Sequence, residues 1–199
     1  MVYEIKKISD TSELEQCHSF EISHFQWRSI YHPKSFGCIG YIEDKGFLVL
    51  LACEEVHPKA DCLRNFEPVY KDSALEAFFQ FDPASADYFN FEFNANGACI
   101  AAYGLTRHLR TYFSAEQILD LNIRPKITPH GWQILFLIPE SVIYFFQPKA
   151  RWKKTRHIYC NFYKLSEHPD IEHYGSFAPV PLPTPNFHRP DFFAKARIV

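Results

Sequence analysis

In the run YFNFEFNANG, residues 88–97, Asn90, Glu92 and Asn94 alternate with Phe89, Phe91 and Phe93. A period of two describes a strand with one dry face and one polar face. The polar face needs a reason, because Asn is depleted in strands. Amide and carboxylate groups offer both donors and acceptors. Glu76 in SALEAFF adds a second carboxylate, and Arg107 in GLTRHLR adds a guanidinium. Such a set can bond the hydroxyls of a polar ligand, and a site built that way discriminates strongly because unpaired buried groups are costly. The same residues also fit plainer roles: a solvated strand face, and an ion pair from Arg107 to Glu92 or Asp72.

Two carboxylates are the minimum for glycoside hydrolysis. With 23 acidic residues in the chain, however, a Glu76–Glu92 pairing carries little information. No GxSxG, P-loop or dinucleotide-binding pattern accompanies it. The chain therefore reads as non-catalytic. The ten His residues form no HxH, HExxH or Cys/His pair at zinc spacing. His168 and His188 fall in loop sequences and read as loop hydrogen-bonders. No metal site is expected.

The formal net charge of −2 gives no electrostatic footprint for nucleic acid or an anionic membrane. Cys17, Cys38, Cys53, Cys62, Cys99 and Cys160 are scattered, with no CxxC pair. The first residues contain no apolar core of a signal peptide, and no apolar run has the length of a membrane span. Free thiols in a reducing, cytoplasmic compartment are the expectation.

What must position these side chains is mostly strand. The chain carries 20 Phe, 11 Tyr and 14 Pro in 199 residues, a composition that favours strands and turns over helices. Strand-like runs occur at 36–43, 46–55, 73–82, 87–95, 98–107, 131–139, 156–165 and 191–199, separated by turn sequences such as EDKG and NANG. Ser114 and Gln117 form a capping box that starts one short helix, and VIYFF at 142–146 predicts a second. DTSELEQC near the N-terminus reads as a capped turn inside an otherwise irregular lead-in, residues 1–35. The Pro-rich stretch APVPLPTPNFHRP, 178–190, cannot pair centrally in a sheet and should cross the surface as an ordered loop. The expected architecture is one all-β domain over residues 1–199, an antiparallel β-sandwich occupying 36–199.

PVYKDSALEAFFQF, YFNFEFNANG, GLTRHLR, NFYKL and PNFHRPDFF occur in that order. Together they resemble the family 9 carbohydrate-binding modules, in particular the free-standing family-9-like proteins. The resemblance spans about residues 36–199 and implies an immunoglobulin-like sandwich that holds a saccharide between two aromatic side chains. Carried onto this sequence, it makes Tyr70 in VYKDS the first aromatic and Phe177 in GSFAP the second. Each stands where the family usually has Trp. Glu76, Asn90, Glu92 and Arg107 become the groups that bond the sugar. The family also allows structural calcium, which no dense Asp cluster here predicts. Two other readings remain. One is an interaction module that keeps the sandwich without the sugar site. The other is a haem domain, which would require His–His ligation, nearest from His108 and His157, because the only Met is Met1.

Overall fold

The computed structural model describes residues 2–199. Its chain order opens with β1 (Tyr3–Lys7), a short 3-10 helix (Thr11–Gln16) and two short strands, β2 (Ser19–Glu21) and β3 (His24–Phe25). The hairpin β4 (Ser35–Ile42) and β5 (Gly46–Cys53) follows. Next come β6 (Ala74–Gln80), β7 (Tyr88–Phe93), β8 (Cys99–Gly104), β9 (Arg110–Tyr112), α1 (Ala115–Asp120), β10 (Arg124–Thr128) and β11 (Gly131–Pro139). The last third is α2 (Glu140–Phe146), α3 (Trp152–Thr155), β12 (His157–Ser166), β13 (His173–Ser176) and β14 (Ala194–Ile198).

The strands form two layers. One has the order β10-β11-β5-β4, with β2 added on β4; the other runs β14-β12-β6-β7-β8-β9, with β13 and β3 extending from β12. All these pairings are antiparallel. β1 is the exception. Its first residues pair parallel with β14 and its last two pair parallel with β4, so one strand belongs to both layers. The expectation of a purely antiparallel sandwich is corrected on this point. The irregular lead-in is corrected too: residues 1–35 supply three strands, because Tyr3 and Ile5 alternate with polar neighbours and bury their side chains in the core.

Phe91 and Phe93 of the second layer meet Phe136 of β11 between the layers, and Phe79 packs edge to face on Phe91. Phe47 of β5 and the fully buried Trp152 close one end. Both expected helices form. Ser114 and Gln117 make the reciprocal capping-box bonds of α1, and Asp10 caps the N-terminal 3-10 turn by accepting from Ser12 N–H. Among the described residues no helix is long and apolar enough to cross a membrane.

At the other end, Lys164 of β12 is fully buried. It lies 3.7 Å from Glu55 and bonds Ser73 and His173. Glu55 also accepts from Ser73 Oγ at 2.6 Å and Trp132 Nε1 at 3.0 Å, which ties the two layers together. Burial, then the Lys164 charge, pushes His173 down to about 3, so its imidazole is neutral.

Phe91 sits where the layers meet and has no exposed surface. Phe91→Ala should lower unfolding stability by about 3–5 kcal/mol, read as a shift in urea midpoint at unchanged slope.

Candidate functional site

Strand parity divides each strand of the second layer between two environments. Phe89, Phe91 and Phe93 face the inter-layer core. Tyr88, Asn90 and Glu92 face the other way, yet they too are buried. Register builds this outer face row by row. Glu92 lies between Glu76 on β6 and Ile100 on β8; Asn90 lies between Phe78 and Ala102; Tyr88 lies opposite Gly104, whose other neighbour is Arg110 on β9. On the far side of β6, Tyr163 neighbours Glu76 and Leu165 neighbours Ala74, with Tyr174 of β13 beyond Leu165.

Part of this face is roofed. The Pro-rich stretch crosses it as an ordered loop, as expected, and covers Phe78, Tyr88 and Tyr163 with Val180 and Phe187, joined by Phe193 just beyond it. Phe187 stacks on Tyr163 at 4.1 Å. Beside the roof the face stays open as a cavity of about 520 Å³, within the usual range for a small-molecule site. Glu76 and Glu92 form its floor. Tyr70, from the 3-10 turn Val69–Lys71, and Arg107, from the β8–β9 loop, belong to its lining, as do Arg110, Tyr112, Glu167, Tyr174 and His188.

Four of the six residues expected from sequence therefore meet in one place: Tyr70, Glu76, Glu92 and Arg107. Asn90 lies beneath them. It donates to Glu92 Oε1 at 2.8 Å and accepts from Arg110 Nη1 at 3.0 Å, which makes it a positioning residue. Phe177 is elsewhere. It packs on the core side against Phe20, Phe162 and Tyr3. Parity explains this: Tyr174 and Phe177 are three residues apart at the end of one strand and so face opposite ways. The aromatic that this strand gives the cavity is Tyr174.

Asn94 also leaves the ligand set. It donates to Asp72 Oδ2 and Cys62 O, both at 2.8 Å, and its own Oδ1 accepts from Asn96 and Ala98 N–H. Asp72 in turn accepts from Asp61 and Cys62 N–H. This pair fixes the turn after β7 to the loop that precedes Tyr70. Of the His pair weighed for haem, His108 lines the cavity, whereas His157 starts β12 beside Arg197 and bonds Thr155 O. No group of three or more His, Cys, Asp or Glu among the described residues is arranged to hold a metal ion.

Arg110 is the residue that sequence reasoning missed. Its Nη1 donates to Glu92 Oε1 at 3.1 Å, and it is the ion-pair partner that Arg107 had been expected to be. The signal was in GLTRHLR. Arg110 opens β9 opposite Gly104, where a Cβ would collide with the Leu109 carbonyl and the Arg110 backbone. Glycine there lets β9 approach and leaves room above β8 for the guanidinium to cross to β7.

Electrostatically the two floor carboxylates differ. Glu92 has a cation and an amide; Glu76 is 4% exposed and makes no side-chain hydrogen bond among the described residues. Burial, then the neighbouring Glu92 charge, pushes Glu76 well above the ordinary carboxylate range. Burial raises Glu92 as well, with Arg110 opposing the shift. At the roof, His188 Nδ1 lies 2.7 Å from Tyr88 Oη, and burial together with Arg110 and Arg107 pushes it down to about 2. The cavity thus offers a protonatable acid, a fixed guanidinium–carboxylate pair, a neutral imidazole and several aromatic faces. That combination suits a neutral molecule rich in hydroxyls.

The sandwich and this cavity define a ligand-binding β-domain. The sequence profile of Carbohydrate-binding family 9 matches residues 6–198, nearly the whole chain, and the chain belongs to that family of carbohydrate-binding domains. A putative carbohydrate-binding protein from Bacteroides uniformis shares the fold with a TM-score of 0.84 at 21% identity, over 100% of this chain and 99% of that one. A family 9 carbohydrate-binding module from Caldicellulosiruptor kristjanssonii, solved with cellotriose, superposes with a TM-score of 0.70 at 12% identity, covering 100% and 93% of the two chains. The same organism's module with glucose gives 0.69 at 11% identity, over 100% and 96%. No curated protein sequence matches the chain.

Two outcomes follow from the charges. Arg110→Met leaves Glu92 buried without its cation and should cost about 3–5 kcal/mol, with partial recovery when Glu92→Gln is added. For Glu76, the folded protein holds the proton more tightly than the unfolded chain does. The stability this contributes is complete below about pH 4.5 and drains away as pH rises through the raised folded-state value. Glu76→Gln should therefore match the native protein near pH 4 and exceed it in stability at pH 8, measured by urea unfolding across pH.

Proposed function

We propose that the cavity binds a saccharide non-covalently, with the ring resting on Tyr70 and the hydroxyls bonded by Glu76, Glu92 and Arg107, joined by Arg110. The observation that carries this is Glu76. A carboxyl group at the bottom of an open cavity, without a protein partner, is costly unless a ligand completes its hydrogen bonds. Family membership supports the ligand class. The relative solved with cellotriose and with glucose supports glucose or a short β-glucan as the first sugars to test.

The reading is of binding rather than hydrolysis. Glu76 and Glu92 are direct cross-strand neighbours on one floor, whereas the carboxylates of a glycosidase flank the scissile bond. Glu92 is moreover tied to Arg110 and Asn90, which favours a fixed acceptor over a proton carrier. The six cysteines are free thiols, four of them buried, which supports a reducing compartment for the protein.

A thermal-shift screen with mono- and oligosaccharides at millimolar concentration tests the reading. A sugar at about 100 times its Kd adds about 2.7 kcal/mol, a rise in Tm of several degrees. Tyr70→Ala and Glu76→Gln should each weaken the responding sugar by tenfold or more, while Phe177→Leu, remote from the cavity, should leave its Kd unchanged. No response to any sugar, from a protein that melts cooperatively, would overturn the assignment.

A further inference from the structure

The roof of the cavity carries a group whose hydrogen-bonding direction the structure fixes. His188 lines the cavity from the Pro-rich loop, and its Nδ1 lies 2.7 Å from Tyr88 Oη. Two arrangements make such a bond: the phenol donates to a bare Nδ1, or Nδ1–H donates to the phenol oxygen. Tyr88 is 1% exposed, and among the described residues its Oη has no other hydrogen-bond partner. A buried hydroxyl proton needs an acceptor, so the phenol donates to Nδ1. The imidazole is neutral, because burial, then Arg110 and Arg107, oppose a charge on it. A neutral imidazole carries one N–H, which must then sit on Nε2.

That N–H is free to meet a ligand. Nε2 makes no hydrogen bond among the described residues and is not sealed from solvent, and the open space that His188 lines is the cavity. The ring is also held still. It packs on Phe78 with centroids 5.0 Å apart, the backbone N–H of His188 donates to Asn186 Oδ1 at 3.0 Å, and the adjoining Phe187 is stacked on Tyr163. Arg107, by contrast, sits exposed on the β8–β9 loop. A donor locked by packing and by a supporting hydrogen bond costs little ordering when a ligand arrives, so it can select among ligands.

We propose that His188, oriented by Tyr88, is a specificity-determining residue of the saccharide site, whose Nε2–H demands a ligand oxygen with an available lone pair at the roof. This rests on the saccharide reading above and adds the direction of one hydrogen bond to it. The roof and the floor then ask opposite things of a sugar. The Glu92 carboxylate, already fixed by Arg110 and Asn90, accepts, so the hydroxyl it meets must donate. The hydroxyl under His188 must accept. Tyr88 is a positioning residue, which acts by occupying Nδ1.

The test is calorimetric titration with glucose, galactose, mannose and xylose, followed by the deoxy and deoxyfluoro derivatives of whichever sugar binds, one ring position at a time. Fluorine accepts weakly and cannot donate. At one position the deoxy sugar should bind roughly threefold to tenfold more weakly than its deoxyfluoro counterpart. At a position met by Glu92 the two derivatives should lose affinity alike. His188→Phe, which keeps an aromatic ring against Phe78 and should hold Tm within a few degrees, should close the gap at the first position. Tyr88→Phe should narrow it, because the proton can then sit on either nitrogen. Nitrogen-15 spectra of the native protein should show Nδ1 bare and Nε2 protonated, and of Tyr88→Phe a mixture. A gap that survives His188→Phe would assign the donor to Arg107 and overturn the proposal. So would the absence of a gap at every position, or a protonated Nδ1. Failure of every sugar to bind the native protein would remove the saccharide reading and this one with it.

Discussion

Everything in the outer half of this domain depends on burying a polar face. β7 has no exposed side: phenylalanines fill one face and Tyr88, Asn90 and Glu92 the other. Burying a carboxylate and an amide in a sheet interior is unfavourable unless their bonds are completed. The chain completes them by bringing up β9, three residues long, to deliver one guanidinium over a glycine. The short strand, the glycine and the position of the cavity mouth all follow from that one requirement.

The asymmetry between the two carboxylates follows as well. One arginine reaches Glu92 and Asn90 together, and none is left for Glu76. A site needs both kinds of group. Glu92 is fixed by its cation and its amide, while Glu76 keeps its hydrogen-bonding capacity unused at the bottom of the cavity. The cation contact of Arg110 with Tyr112 then carries the same rigid unit outward to the rim.

Much of this was legible in the sequence because period-two patterning reports burial directly. Phe89, Phe91 and Phe93 announced their strand, and Ser114 with Gln117 announced their helix. Asn90 and Glu92 were legible as unusual, and Glu76, Tyr70 and Arg107 by resemblance. What escaped depends on pairing across long separations. Arg110 looked no different from Arg107 until register set it opposite Gly104. Phe177 fitted the resemblance but fell on the wrong parity of β13, three residues from Tyr174. β1 was hidden for a related reason. A five-residue strand between an early partner and a late one leaves little local pattern, and its existence is decided by β4 and β14.

That same strand governs the order in which the domain can be assembled. Tyr3 pairs with Ala196, and Val199 N–H donates to the carbonyl of Ile5 at 2.9 Å. Few pairings in a chain this long could be further apart in sequence, and such contacts are slow to form because the loop must close before they give any return. On a ribosome, β1 can meet β4 early, but its pairing with β14 waits until every strand between them has been made. The hairpin β4–β5 can form early, but β1 joins both layers only once β14 has been made.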